Sequence, residues 1–85
     1  MMLEWDDANV EHISRHNVSP AEVEFVCNGL NYIIRGRFGR YLVFGQTGSG
    51  RYLKIILEHR VESSFRPVSA WEMSDSEKKN YRKKV

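Results

Sequence analysis

Apolar and polar positions along the chain change period once, near residue 31. Before it, apolar residues recur at helical spacing. Val23, Val26, Cys27 and Leu30 form one stripe, and the run Ser19-Pro20-Ala21-Glu22 ahead of it combines an N-cap serine, a first-turn proline and a glutamate at the third helical position. Asn28-Gly29 marks the exit. An earlier helix starts at Asp6, a side-chain acceptor for free N–H groups, carries Val10 and Ile13 on one side, and stops at Asn17, a residue that tolerates the left-handed region. Met2 to Trp5 precede it as a short opening strand.

After residue 31 the period shortens to two. Tyr32 to Arg35, Arg40 to Gln46, Arg51 to Glu58 and Ser64 to Ala70 are rich in aromatic and β-branched residues. Gly36 and Gly39, then Thr47-Gly48-Ser49-Gly50, then His59 to Ser63 separate them. Connections this short require antiparallel neighbours. Leu53, Ile55 and Leu57 point to one face, and Tyr52, Lys54, Ile56 and Glu58 to the other. Ser74-Asp75-Ser76-Glu77 is a second capping box and opens a basic last helix through Tyr81. The pattern predicts an α+β fold: a small antiparallel β-sheet with two N-terminal helices and one C-terminal helix, order βααββββα, the helices packed on one face.

Eighty-five residues, 41% hydrophobic and 28% charged, fit one domain over 1–85. No uncharged run is longer than Phe25 to Ile34, which is too short to span a bilayer, a task for about 20 apolar residues, and the acidic start carries no basic segment of a secretion signal. One cysteine, Cys27, excludes an internal disulfide and a thiolate cluster. These features describe a reduced, cytoplasmic protein without contact to membranes.

Charge is segregated. Residues 1–24 hold six acids (Glu4, Asp6, Asp7, Glu11, Glu22, Glu24) against one base, Arg15. Residues 35–54 hold five bases (Arg35, Arg37, Arg40, Arg51, Lys54) and no acid, and residues 78–85 add Lys78, Lys79, Arg82, Lys83 and Lys84. If the two basic segments meet, they form a surface for phosphates. The acidic segment is expected to pack away from that surface or to face a basic partner segment.

The chain carries no phosphate-binding glycine loop, no Gly-x-Ser-x-Gly turn and no third ligand beside the His12–His16 pair, so neither a cofactor nor a metal is expected. Cys27 lies on an apolar stripe and reads as core. His16, Arg40, Lys54, His59, Arg66 and Tyr81 remain. Cleaving RNA means deprotonating a 2′-hydroxyl, neutralising a pentacovalent phosphate and protonating the leaving oxygen, and these side chains serve all three steps. Each also has a plain structural role: His16 closing a helix, Arg40 and Lys54 facing solvent from strands, Tyr81 fastening the last helix.

Leu3-Glu4-Trp5-Asp6, His12-Ile13-Ser14-Arg15-His16-Asn17-Val18-Ser19 and Ala21-Glu22-Val23 resemble the opening of the BrnT family of toxins, where a Trp-Asp, an Asn and a Lys-His-Gly-Val pattern precede a helix starting Ser/Thr-x-x-Glu. Gly39 to Thr47, Gly50 to Ile56, Phe65-Arg66-Pro67-Val68-Ser69-Ala70, and Glu77 with Tyr81 continue the likeness through residue 81. The resemblance implies a RelE-like fold and a type II toxin: a metal-independent endoribonuclease acting on mRNA and neutralised by a cognate BrnA-like antitoxin, with DNA contacted through that antitoxin alone. By position, His16, Arg40, Arg66 and Tyr81 correspond to the family's site, with Lys54 beside them as catalytic candidates. Arg37, Arg51, Ser69 and Trp71 are candidates for holding RNA. Two positions depart from the pattern. Trp71 stands where many relatives have Arg, offering a stacking face instead, and Gly39 replaces the acid before Arg40. They leave open a second reading, a non-catalytic module binding protein or nucleic acid on the same fold. Assembly as a homodimer or as a heterotetramer with antitoxin is also open.

Overall fold

The computed structural model describes all residues from Met1 to Val85. Eight elements follow in the expected order: β1 (Met2–Leu3), α1 (Asp7–Ser14), α2 (Pro20–Cys27), β2 (Asn31–Arg35), β3 (Arg40–Gln46), β4 (Tyr52–His59), β5 (Ser64–Glu72) and α3 (Asp75–Lys84). Each helix begins with a capping box, at Asp6 with Asn9, Ser19 with Glu22 and Ser74 with Glu77. These boxes satisfy the N–H groups that a helix start leaves unpaired. Asn17 takes φ +57° after α1, the left-handed stop its side chain suits.

The sheet has the order β1-β5-β4-β3-β2. β2 to β5 pair antiparallel, but β1 runs parallel to β5, with Met2 opposite Ser64 and Leu3 opposite Phe65. The sheet is therefore mixed, not wholly antiparallel. The parallel return is possible because α1, α2 and three strands intervene, ample chain for a crossover.

The helices do not share a face. Ile13 of α1 and Val23, Val26 and Cys27 of α2 bury against Val43, Leu53, Ile55, Leu57 and Ala70. On the opposite face α3 lays Tyr81, with Met73 before it, on Phe44, flanked by Tyr32, Leu42 and Tyr52. α3 has one buried residue of its own, Tyr81, so its pattern carries no stripe from which a face could be read. The apolar side chains that receive it, Phe44 and Tyr52, sit on the strand face read as mixed.

Two further details differ from the pattern. Asn9, not Val10, is the inward residue beside Ile13, only 2% exposed. Its side chain donates to the carbonyls of Glu4 and Pro67, both at 3.0 Å, and accepts from Asp6 N–H at 2.9 Å. Leu30 lies past the end of α2 and is 74% exposed. Cys27 is buried in the core as expected, and burial pushes its thiol up to about 12, which keeps it unreactive at neutral pH.

The acidic segment does not pack away from the bases. Asp6 pairs with Arg66, Glu22 with Arg51 and Glu4 with Arg60. The parallel pairing of β1 lays the N-terminus along β5, which brings Asp6 to Arg66 and Glu4 to Arg60.

Candidate functional site

Alternation along the strands sets most of the candidates on the α3 face. Register aligns them in rows across the sheet. Phe44, Lys54 and Trp71 lie side by side, then Leu42, Ile56 and Ser69, then Arg40, Glu58 and Arg66. A register shift after Ile56, with Val68 as the extra residue of β5, keeps Ser69 and Arg66 on one face although three residues separate them. α3 packs on the first row at Phe44, beside Leu42 of the second.

The first row ends in a stack at the margin of the sheet. Lys54 Nζ sits 5.2 Å from the centre of the Trp71 ring, and the His16 ring lies 5.9 Å from the same ring, tilted by 53°. His16 reaches this position from the turn after α1, which runs beside the β5 margin. Lys54 also donates to Glu77 Oε2 at 2.7 Å. Glu77 closes the α3 capping box at the same time, its Oε1 accepting from the N–H of the N-cap Ser74 at 2.9 Å. Burial would raise its carboxyl, but the Lys54 ammonium and the Ser74 N–H outweigh this and hold it below the ordinary 4.5.

One helical turn before His16, the exposed His12 ring lies 6.1 Å from it and lines a cleft of about 260 Å³ with Ala8, Asn9, Arg66 and Val68. The sequence pairs His12 with His16 as metal ligands only. Its place beside Arg66 depends on α1 docking along β5, which no local pattern reports. No three His, Cys, Asp or Glu side chains converge anywhere on the chain.

Arg66 is held in a fork. Its Nε and Nη2 donate to both oxygens of Asp6 at 2.9–3.2 Å, leaving Nη1 without a partner in the chain. The Asn9 N–H, first, and then this guanidinium hold the Asp6 carboxyl below its ordinary 3.8. Arg40, in the same row, lies 3.7 Å from Glu58. The two arginine strands flank the Glu58 strand, so their backbones are about 10 Å apart. Glu58, which the sequence does not single out, is an acid on the strand between them, paired with Arg40 and Arg60.

The remaining candidates lie elsewhere. Arg51 turns to the opposite side of the sheet, where it donates to Glu22 at 2.8 and 3.0 Å, to Glu72 at 3.2 Å and to the Asn17 carbonyl at 2.7 Å. It clasps α2, β5 and the α1–α2 turn. Tyr81 is buried under α3, edge-on to Tyr52 at 6.0 Å between ring centres. Burial, with Tyr52 nearby, raises its hydroxyl further above the ordinary 10.0. Ser69 is buried in the middle row, and Arg37 is exposed in the β2–β3 turn. His59 stacks on Phe65 and faces the Glu62 carbonyl at 2.7 Å.

These ion pairs make a pH prediction. Glu22 is a second carboxylate held low: burial acts to raise it, but the Ser19 N–H and Arg51 prevail. The stabilisation from Asp6, Glu22 and Glu77 is complete above their unfolded values of 3.8 and 4.5 and disappears as pH falls through the lower folded values. Urea midpoints are therefore expected to drop steeply below about pH 4.5. The fall should be shallower in a Glu22→Gln, Glu77→Gln variant, and an identical acid limb would contradict the assignment.

The sequence matches no protein-family profile and no curated protein sequence. Its fold matches the 1.1 Å crystal structure of the Brucella abortus ribonuclease toxin BrnT, at 16% identity with a TM-score of 0.69, over 88% of this chain and 100% of that one. The chain therefore has the fold of a ribonuclease toxin.

Proposed function

We propose that the protein is the toxin of a type II toxin–antitoxin pair and cleaves RNA without a metal ion. The observation that carries this reading is the His16–Trp71–Lys54 stack on the sheet face shared with Arg40 and Arg66. His16, with His12 one turn away, supplies imidazoles for moving a proton off the 2′-hydroxyl and onto the leaving oxygen, since imidazole exchanges protons near neutral pH. The free Nη1 of Arg66 and the Lys54 ammonium neutralise the phosphate as charge builds on it. Trp71 offers its ring to a base. A cognate BrnA-like antitoxin would neutralise the toxin, carry any DNA contact and act in the same cytoplasm. That partner follows from the BrnT resemblance.

Purified protein incubated with single-stranded RNA in excess chelator is expected to cleave it, while a 2′-O-methyl copy of the same oligonucleotide stays intact. Intact RNA from folded protein would exclude the nuclease. It would favour a binding module, to which one observation already points: Arg40, Lys54 and Arg66 each have an acidic partner within the chain.

A further inference from the structure

The β2–β3 turn carries a feature that neither folding nor the site above accounts for. Phe38 is 90% exposed, more than any other large apolar side chain in the protein. It also sits at φ +58°, next to Gly39 at φ +71°, in a turn closed by Arg40 N–H to the Arg37 carbonyl at 3.1 Å. Two consecutive positive φ angles make a type I′ turn, in which Asn or Gly fits the first central position and an aromatic residue is strained. A phenylalanine here loses on both counts, being hydrated and unfavourably folded.

The turn is nevertheless rigid. Gly36 N–H donates to the Arg40 carbonyl at 2.8 Å, and His59 N–H at the end of β4 donates to the Gly39 carbonyl at 2.9 Å. The ring is presented on a braced support.

Its surroundings are cationic and uncompensated. Arg35 and Arg37 enter none of the chain's ion pairs. The nearest acid in the Arg40 row, Glu58, is shared between Arg40 and Arg60. The other unpaired basic run, the end of α3, reaches the same strand, where Lys84 Nζ lies 5.7 Å from the Tyr32 ring. The basic end of α3 thus reaches Tyr32, at the start of the strand that ends in Arg35.

We infer that the β2–β3 turn grips single-stranded RNA, with Phe38 stacking on one unpaired base while Arg35 and Arg37 hold the adjoining phosphates. An unpaired base offers an open π-face that a duplex keeps covered, and phosphates suit guanidinium groups that have no acid to answer. Arg37 and Arg40 are held within about 7 Å by the turn, so the grip adjoins the arginine row. The inference rests on the nuclease reading and names how its substrate is held.

The test uses the full chain and a fluorescent 2′-O-methyl oligouridine, which binds without being cut. Phe38→Ala is expected to weaken binding on the order of tenfold, with little change for a duplex of the same length. Phe38→Trp should bind like the wild type and show added tryptophan emission that is quenched by the oligonucleotide. Wild-type affinity in Phe38→Ala, or a change confined to self-association in sedimentation, would overturn the grip and leave the nuclease standing. No binding and no cleavage by wild type would overturn both.

Discussion

Replacing His16 with alanine is expected to lower the rate of RNA cleavage by about 10²- to 10⁴-fold, the range for loss of one positioned proton-transfer group. His16 is exposed at the end of a helix, and its removal leaves the core untouched, so the melting temperature should stay near that of the wild type. The readout that separates chemistry from packing is the split of kinetic parameters. A proton-transfer role lowers kcat with little change in KM, whereas a residue that only supports the Trp71 ring would act through KM. Growth after induction gives the same answer in cells: wild type arrests growth and His16→Ala does not. Arrest by both would move the chemistry to other residues, His12 first, because it faces the same margin of the sheet and lines the cleft with Arg66.

Much of this site is legible in the sequence because it is built from period-two alternation. Once four strands and their short turns are placed, Lys54 and Arg66 must be strand residues and Arg40 must start a strand, while Trp71, one position past the expected last strand, joins β5 in the structure. The capping boxes mark the helix starts for an equally local reason. What the sequence does not show is everything set by pairing at long range. Asp6 and Arg66 are sixty positions apart, and only the parallel docking of β1 on β5 reveals that they form a fork. Arg51 looks like one more base in an acid-free run, yet the fold aims it at Glu22 and Glu72. For Tyr81 the sequence offers two roles, proton transfer and fastening the last helix, and only the fold shows it buried between α3 and the sheet. The side on which α3 lies could not be read from a helix with a single inward residue.

The position of the arginine row depends in turn on a residue the periodicity passes over. Asn9→Ala is expected to destabilise the fold by about 2–4 kcal/mol, from the loss of three hydrogen bonds made by a nearly buried amide. Asn9 is 2% exposed, and its amide joins the carbonyl of Glu4, where β1 ends, to that of Pro67 in β5. Truncation leaves both carbonyls and the Asp6 N–H short of a partner. Asn9→Asp tests the point more finely. It keeps the acceptor for Asp6 N–H but takes away both donors, and it buries a charge beside two carbonyls, so it should cost at least as much as alanine. The change also reaches the site, because Pro67 follows Arg66 directly and Asp6, the partner of Arg66, caps the same helix that Asn9 helps to start. If the variant still folds, RNA cleavage should fall with it, and chemical-denaturation midpoints measured beside cleavage rates will show the two losses together. A midpoint within about 0.5 kcal/mol of wild type, the range of an ordinary surface change, would mean that this amide does not hold the β1–β5 junction.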